Sequence, residues 1–533
     1  MKAKEIMARP VVTVLPKTPL GEVAQTMLEH RIPLRPAQGD AAGARFMRSH
    51  PGPSPNPKAS PWRWMALGLG PLACGLVLLF PPPSGLGLEA WRLVGLAAWM
   101  VLWWTAEAVP LPVTALLPIP LMPLLGIAPE VSLAAQYGHP LIFLFLGGFL
   151  IGQGLQRWGV HRRIALFIVL RLGGGPGGLL GGFMLATAFL SMWISNTATA
   201  VMMFAVGLAV IQSLSSVASA AQTQRFGVAL MLTIAYSASI GGVGTLIGTP
   251  PNALLAAYLR EQGHTLDMQR WFWIGLPFVA LMLPLAWLWL SQVQFPLRGL
   301  PWADLRGAIR QEYAAIGPMG QAERWVLGVF GLAVLGWVLR PQLAAWLGLP
   351  LSDSAVALLA ALLLFVLPAP GGRLLDWESA LKLPWGVLLL FGGGLALAAA
   401  FEATGLSAWI GKALAGLGGL PLWAVVLVVA AVVLFLTELT SNTAVAATFL
   451  PVMGALAVGL GVDVRLLTIP VALAASAAFM LPVATPPNAI VFAYEGLRIP
   501  HMVRAGLALN LATILVVGLI LFTFGRWGLG IGF

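Results

Sequence analysis

Two polar interruptions recur inside long apolar stretches of this chain, and they constrain its fold more than any other feature. The triplet Ser-Asn-Thr occurs at 195–197 and again at 441–443. Each copy is followed by Thr-Pro-Pro-Asn, at 249–252 and at 485–488. Polar residues and prolines are costly in hydrocarbon unless the broken backbone lines a site enclosed by protein. The recurrence therefore predicts one binding site built from two related halves.

The composition indicates a membrane protein. Only 9% of the residues are charged and 59% are hydrophobic, and the apolar stretches could cross roughly 30 Å of hydrocarbon many times. The formal charge of +11 comes from Lys and Arg spread among the loops. Such residues mark cytoplasmic loops, so this charge does not indicate a nucleic-acid partner. The single cysteine, Cys74, excludes an internal disulfide and a thiolate metal cluster.

We predict an all-α polytopic membrane protein with about 11 transmembrane helices and two re-entrant hairpins. The hairpins are placed at 178–214 and 421–461, because the flanks of each Ser-Asn-Thr are short for two full spans. A basic interfacial helix is expected around 161–163. The predicted spans are 64–80, 90–108, 110–126, 139–156, 226–260, 272–294, 323–340, 353–369, 384–401, 466–495 and 504–528.

The first 61 residues form a polar extension that differs from the membrane region at 62–533. A strand is predicted at 11–14 and a helix after Pro19, and 36–61 has the composition of a linker. The segment 6–31 resembles the first half of a CBS domain. Such domains normally occur as pairs, and a pair binds adenosine nucleotides. Because the second half of even one copy is missing, a structural remnant is favoured over a nucleotide sensor.

The second half of the membrane region is a sequence repeat of the first. Residues 144–148 align with 390–394 at an offset of 246, and the same offset aligns Asn196 with Asn442. At Pro-Pro-Asn the offset falls to 236, so one connection is ten residues shorter. The halves extend over about 139–294 and 384–528. Matched broken helices in two inverted repeats are typical of secondary transporters.

The chemistry of the breaks suits an anion and cations together. At a hairpin tip the backbone loses its helical partners, and Ser, Thr and Asn side chains replace some of the lost hydrogen bonds. Other oxygens are left for a hard cation such as Na⁺. The N-terminus of the returning helix offers N–H groups to an anion. Two tips and two proline breaks could surround one anion with a cation on each side. No Lys or Arg is adjacent to these motifs, so anion binding should depend on the cation.

Three segments resemble the signature of the divalent anion/sodium symporter family: 103–115, 195–200 and 437–444. The resemblance covers essentially 62–533. Members of this family carry dicarboxylates, citrate or sulfate together with Na⁺. The resemblance implies a homodimer in which a scaffold domain supports a mobile transport domain that moves as an elevator.

The resemblance also implies which residues form the site. Both triplets are intact, which favours a C4-dicarboxylate such as succinate, malate or fumarate. The substrate would contact Asn196, Thr197, Thr249, Asn442, Thr443, Thr485 and Pro486. The first Na⁺ would be held by Ser191, Ser195, Asn196 and Gly248, and the second by Thr437, Thr440, Asn442 and Ala484.

The leading hypothesis is Na⁺-coupled dicarboxylate symport across the plasma (inner) membrane. The Arg cluster at 298–324 places that loop and the N-terminus in the cytoplasm. Alternatives on the same fold are a Na⁺-independent dicarboxylate exchanger and a sulfate or citrate transporter, and an anion channel is a different class. An enzyme would need a nucleophile–base pair or a metal cluster, and the six His are scattered, so no enzyme is expected.

Two acidic residues remain. Glu107, at a span end, is interpreted as a structural contact rather than a proton carrier. Glu438 aligns with Met192 in the other half, so the two cation sites should not be chemically equal.

Overall fold

The computed structural model describes residues 61–172, 174–297, 302–413 and 419–532. The predicted CBS-like segment, the strand at 11–14 and the linker at 36–60 lie outside the described residues.

The described residues are almost entirely helical, and the helices are numbered here in chain order. The first half contains α1 Pro61–Leu79, α2 Leu88–Ala106, α3 Leu111–Thr114, α4 Pro118–Leu124, α5 Glu130–Tyr137, α6 Pro140–Arg157, α7 Val160–Leu172, α8 Pro176–Ser191, α9 Asn196–Ser215, α10 Ala220–Gly242, α11 Pro250–Glu261 and α12 Met268–Leu288. The remainder contains α13 Trp302–Ala315, α14 Gln321–Val338, α15 Arg340–Leu347, α16 Asp353–Val366, α17 Trp377–Ala380, α18 Trp385–Ala403, α19 Leu406–Ala413, α20 Leu422–Thr437, α21 Asn442–Gly459, α22 Val464–Ala475, α23 Pro486–Phe492, α24 Ile499–Ile520 and α25 Arg526–Leu529.

Three short elements complete the fold. A π-helical turn, Trp289–Gln294, continues α12, and a second, Leu521–Gly525, links α24 to α25. A two-residue antiparallel ribbon pairs β1 Pro368–Ala369 with β2 Gly372–Arg373.

The described helices match the composition of a membrane protein. Seven of them are long and apolar enough to cross a bilayer, or up to eight if α14 and α15, bent by 82°, form one span. Shorter apolar helices of 10–17 residues accompany them. The predicted all-α polytopic fold is confirmed. A span of 18 or more residues covers the hydrocarbon at 1.5 Å per residue.

The predicted spans at 110–126 and 353–369 differ from the helices that form there. The predicted span at 110–126 is divided into α3 and α4, because prolines at 110, 112, 118, 120 and 123 remove backbone donors along it. The predicted span at 353–369 ends at Val366, where the β1–β2 ribbon begins two residues later.

Each Ser-Asn-Thr lies at the start of the second helix of a pair. The first helix pair is α8 and α9, joined by residues 192–195, and the second is α20 and α21, joined by 438–441. The first broken span is α10 and α11, separated by 243–249, and the second is α22 and α23, separated by 476–485.

The prolines begin helices rather than end them. Pro250 and Pro486 are the first residues of α11 and α23, where a missing N–H removes no helical bond. The preceding helices have already ended at Gly242 and Ala475. The breaks therefore lie before Thr-Pro-Pro-Asn, whereas the sequence placed them at the prolines.

The motif-bearing helices of the two halves pack across each other. Helix α9 of the first half packs against α23 of the second, and α21 packs against α11. A Cβ placed on Gly454 of α21 would lie 1.8 Å from the Tyr258 hydroxyl oxygen of α11, so the two helices are in close contact there. Other helices form a second group, in which α6 and α14 pack on α16, and α5 packs on α18, which also contacts α11 and α21 of the first group. The broken elements of both halves thus share one bundle.

Candidate functional site

Four oxygen-bearing groups meet at the tip of the first helix pair. Ser191, the last residue of α8, is buried, and its Oγ lies 2.6 Å from both Asn196 Oδ1 and the carbonyl oxygen of Ala238. The Asn196 amide also faces the carbonyl oxygen of Gly248. A hydroxyl has one proton, so Ser191 can donate to only one of its two neighbours. The cluster therefore has more acceptors than donors.

The excess of acceptors is present when the Asn196 amide turns its oxygen toward the cluster. With its oxygen toward the cluster the side chain faces acceptors only; with its nitrogen there it would donate to Ser191 Oγ at 2.6 Å, Gly248 O at 3.1 Å and Ala238 O at 3.3 Å. A cation bound among these oxygens would favour the first orientation, because Na⁺ is a hard ion that prefers oxygen ligands. Residues Ser191, Asn196 and Gly248 of the predicted first Na⁺ site are thus brought together, and the donor set fits that ion.

The tip of the second helix pair repeats the arrangement. Thr437 Oγ1 lies 2.7 Å from Asn442 Oδ1 and 3.1 Å from the carbonyl oxygen of Ala475. The hydroxyl of Thr440 is buried and has no hydrogen-bond partner among the described residues. An unpartnered buried hydroxyl beside an acceptor-rich cluster suits a cation ligand. The predicted second Na⁺ site is therefore consistent with the geometry at Thr437, Thr440 and Asn442.

Close backbone approach at the first tip depends on glycine. A Cβ on Gly242, the last residue of α10, would lie 2.5 Å from Asn196 Oδ1. Real Cβ atoms do not approach an oxygen this closely, so any side chain here would displace the amide. Ser195, another predicted Na⁺ ligand, uses its Oγ to cap α9 by accepting from Ala198 N at 3.3 Å.

Two asparagines that the sequence reasoning left without a role hold the broken spans in place. Asn252 of α11 is fully buried, and its Nδ2 donates to the carbonyl oxygens of Thr245 at 2.8 Å and Val243 at 3.2 Å. Asn488 of α23 is its repeat counterpart and donates to Leu481 O at 3.0 Å and to Ala478 O at 3.2 Å. These amides replace the helical donors that the carbonyls lost at the break.

The sequence reasoning also missed the carbonyl groups of Ala238 and Ala475. They lie 237 residues apart, close to the offset of the Pro-Pro-Asn segments. That spacing could have paired them, but alanine carries no side-chain signal for a ligand.

The residues predicted to touch the substrate differ in burial. Thr249, Thr443 and Thr485 are buried, whereas Thr197 and Pro486 are exposed. Thr249 Oγ1 lies 3.4 Å from Ser476 Oγ, so a hydroxyl of the first half meets one of the second. Their assignment to the substrate stays a prediction.

The helix starts offer donors to an anion. Four helices begin at the motifs: α9, α11, α21 and α23. Ser195 and Thr485 cap α9 and α23, whereas Thr249 and Ser441 form no side-chain cap at α11 and α21. The first turn of a helix has N–H groups without helical partners and a positive dipole end. Helices α11 and α23 each begin with two prolines, which carry no N–H, so the donors for a carboxylate are those at the starts of α9 and α21.

A polar cleft of about 340 Å³ lies elsewhere, beside Arg260, Asp267, Arg340 and Asp353. Arg340 is already paired with both aspartates, through Nη2 to Asp267 at 2.5 Å and Nε to Asp353 at 2.8 Å. The two carboxylates offset the charges of the two guanidiniums, so these side chains give the cleft no net positive charge to attract a dianion. This cleft is therefore a poorer candidate than the tips.

Related halves that interlock, each with a broken span and an oxygen cluster at a helix tip, define a secondary transporter. The chain matches the family model described as the sodium:sulfate symporter transmembrane region over residues 62–531, and the CBS domain model over residues 3–36. It belongs to the sodium:sulfate symporter family. The resemblances noted in the sequence, including that of the N-terminal segment, are confirmed.

Named relatives agree with this assignment. The sodium-dependent dicarboxylate transporter SdcS of Staphylococcus saprophyticus is 39% identical over 91% of this chain and 96% of its own length. The SdcS of Staphylococcus aureus (strain bovine RF122) is 41% identical over 86% of this chain and 90% of its own length. Among solved structures, MtrF of Neisseria gonorrhoeae is 14% identical with a TM-score of 0.51, covering 88% of this chain and 95% of its own. The likeness to MtrF concerns the fold alone.

Proposed function

We propose that this protein is a Na⁺-coupled symporter of C4-dicarboxylates such as succinate, malate or fumarate. The observation that carries the proposal is the repeated oxygen cluster, formed by Ser191 and Asn196 in one half and by Thr437 and Asn442 in the other. Its relatives named as sodium-dependent dicarboxylate transporters support the choice of ion and substrate.

Charge balance explains the coupling. A C4-dicarboxylate carries two negative charges, and moving them from water into a low-dielectric site is costly unless they are compensated. The side chains that form the two oxygen clusters are neutral amides and hydroxyls. One Na⁺ in each cluster would supply two positive charges, and the starts of α9 and α21 would add donors. Substrate binding should then require Na⁺, because the ions provide most of the compensation.

The transport step is proposed to be an elevator movement. The bundle that contains both helix pairs and both broken spans would move as one body against the second group of helices. This assignment, the homodimer and the cytoplasmic N-terminus rest on the family resemblance and on the positive-inside rule. Location in the plasma (inner) membrane follows from the same proposal.

Uptake of labelled succinate into proteoliposomes tests the function. An inward Na⁺ gradient should drive accumulation, and replacing Na⁺ with choline should abolish it. Asn196→Ala and Asn442→Ala should each abolish Na⁺-driven uptake, because each removes an amide from a tip cluster. The exposed amide variant Gln342→Ala is the matched control and should transport normally. Succinate counterflow that proceeds without Na⁺ would instead identify an exchanger.

A further inference from the structure

Backbone bonds turn the chain at the broken span in both halves. They join Val243 N to Ile240 O at 3.2 Å and Gly244 N to Gly241 O at 2.9 Å in the first half, and Ser476 N to Leu473 O at 3.3 Å and Ala477 N to Ala474 O at 3.1 Å in the second. In the second half a charged side chain adds to these bonds. Glu438, at the tip of the second helix pair, accepts from three consecutive N–H groups, those of Phe479 at 2.7 Å, Met480 at 2.9 Å and Leu481 at 3.1 Å.

A fourth donor completes the surroundings of this carboxylate. Asn510 of α24 donates through Nδ2 to Glu438 Oε1 at 2.7 Å, and Asn510 is itself fully buried. Glu438 is only 3% exposed. All four donors are neutral, and none of the ion pairs among the described residues includes Glu438. A buried carboxylate with neutral donors keeps a negative charge that no side chain offsets.

This charge is connected to the second oxygen cluster through two segments of the chain. Glu438 directly follows Thr437, whose hydroxyl contacts Asn442 and Ala475. The backbone that Glu438 holds, 479–481, lies between Ala475 and the predicted ligand Ala484. Met192 takes the equivalent place in the first half and has no charge. The two clusters therefore contain the same kinds of oxygen ligand, but the surroundings of the second carry one more negative charge.

We propose that Glu438 is a positioning residue of the second cation cluster, and that its negative charge gives this cluster a higher Na⁺ affinity than the cluster of the first half. The inference rests on the proposed Na⁺-coupled function and adds the order in which the two clusters bind Na⁺. The second cluster would fill at lower Na⁺ concentration.

Na⁺ titration of thermal unfolding, without substrate, tests the inference on the purified full-length protein. Glu438→Gln retains one acceptor oxygen for Phe479, Met480 and Asn510 but removes the charge. It should raise the Na⁺ concentration at half-maximal stabilisation about tenfold, the size expected for losing one nearby charge at intermediate dielectric. Glu438→Asp keeps the charge on a shorter side chain. It should melt lower without Na⁺ but keep a midpoint nearer that of the parent. A purely structural role predicts the reverse order of the two midpoints.

A second pair of variants leaves Glu438 in place, in case its replacement prevents folding. Asn510→Lys neutralises the carboxylate with an ammonium group and should also raise the Na⁺ midpoint about tenfold. Asn510→Met has similar length without the charge, and its midpoint should stay close to that of the parent. Equal midpoints for the Lys and Met variants would overturn the inference.

The parent protein separates this inference from the proposed function. If Na⁺ neither stabilises the parent nor drives its succinate uptake, the proposed function fails. If the parent responds to Na⁺ and Glu438→Gln responds at the same concentration, only the role of Glu438 fails.

Discussion

Removing the amide of Asn252 tests whether a side chain holds the first broken span in shape. In Asn252→Leu the buried carbonyl group of Thr245 loses its amide donor, whereas that of Val243 loses one donor and keeps Trp271 Nε1 at 2.8 Å. The first loss costs about 1–3 kcal/mol and the second about 0.5–1.5 kcal/mol, so together they cost about 2–4 kcal/mol. Asn252 Oδ1 is itself buried without a partner, and its removal recovers part of this cost. We therefore expect a net loss of about 2 kcal/mol in the free energy of unfolding.

The second half provides an internal replicate. Asn488 also makes two short bonds to carbonyl groups and also has an unpartnered Oδ1, so Asn488→Leu should cost about the same 2 kcal/mol. Asn252→Asp should be worse than Asn252→Leu, because it turns carboxylate oxygens toward carbonyl oxygens. Gln342→Leu, at an exposed amide, should change stability by less than about 0.5 kcal/mol.

Thermal unfolding of the purified variants, with and without Na⁺, measures these effects. Both Leu variants should melt below the parent in each condition. Asn252→Leu should also need more Na⁺ for stabilisation, because Gly248 lies in the loop that Asn252 holds. Leu variants that melt with the parent, or an Asp variant as stable as its Leu counterpart, would refute the reasoning.

Three further predictions concern charge, packing and the ion. Arg340→Met should lower the free energy of unfolding by about 3–5 kcal/mol, because it leaves Asp267 and Asp353 without their cation. Arg162→Met breaks a more exposed pair and should cost less than about 1 kcal/mol; thermal unfolding of the two variants measures the difference. Gly241→Ala should impair folding, since its Cβ would lie 2.3 Å from the backbone oxygen of Ala188, while Gly68→Ala meets nothing within 4 Å and should be neutral; the yield of monodisperse protein is the readout. Succinate should raise the melting temperature only when Na⁺ is present, and stabilisation by succinate in Na⁺-free buffer would contradict the charge argument.

The sequence alone was sufficient for the class of protein and for much of the site. Long apolar stretches required a membrane, and the 246-residue offset between Asn196 and Asn442 required two related halves. Both inferences depend on composition and periodicity, which folding does not alter. The side chains of Ser191 and Thr437 were identifiable because each lies four residues before a recurring triplet.

Tertiary structure decided which backbone groups complete the clusters. The carbonyls of Ala238 and Ala475 reach the tips only because α10 and α22 end beside them, and an alanine in a sequence carries no sign of this. Tertiary structure also decided where the spans break. Pro250 and Pro486 begin helices because the preceding helices have already ended, at Gly242 and Ala475.

Glu438 shows most clearly what the sequence determines and what only the folded structure determines. The sequence revealed that its counterpart, Met192, is uncharged, and so predicted that the halves differ. Only the folded chain brings residues 479–481 and Asn510, 41 to 72 positions away, onto that carboxylate. Sequence patterns record which chemical groups are available, whereas the direction of a backbone N–H or C=O is fixed only when distant segments pack together.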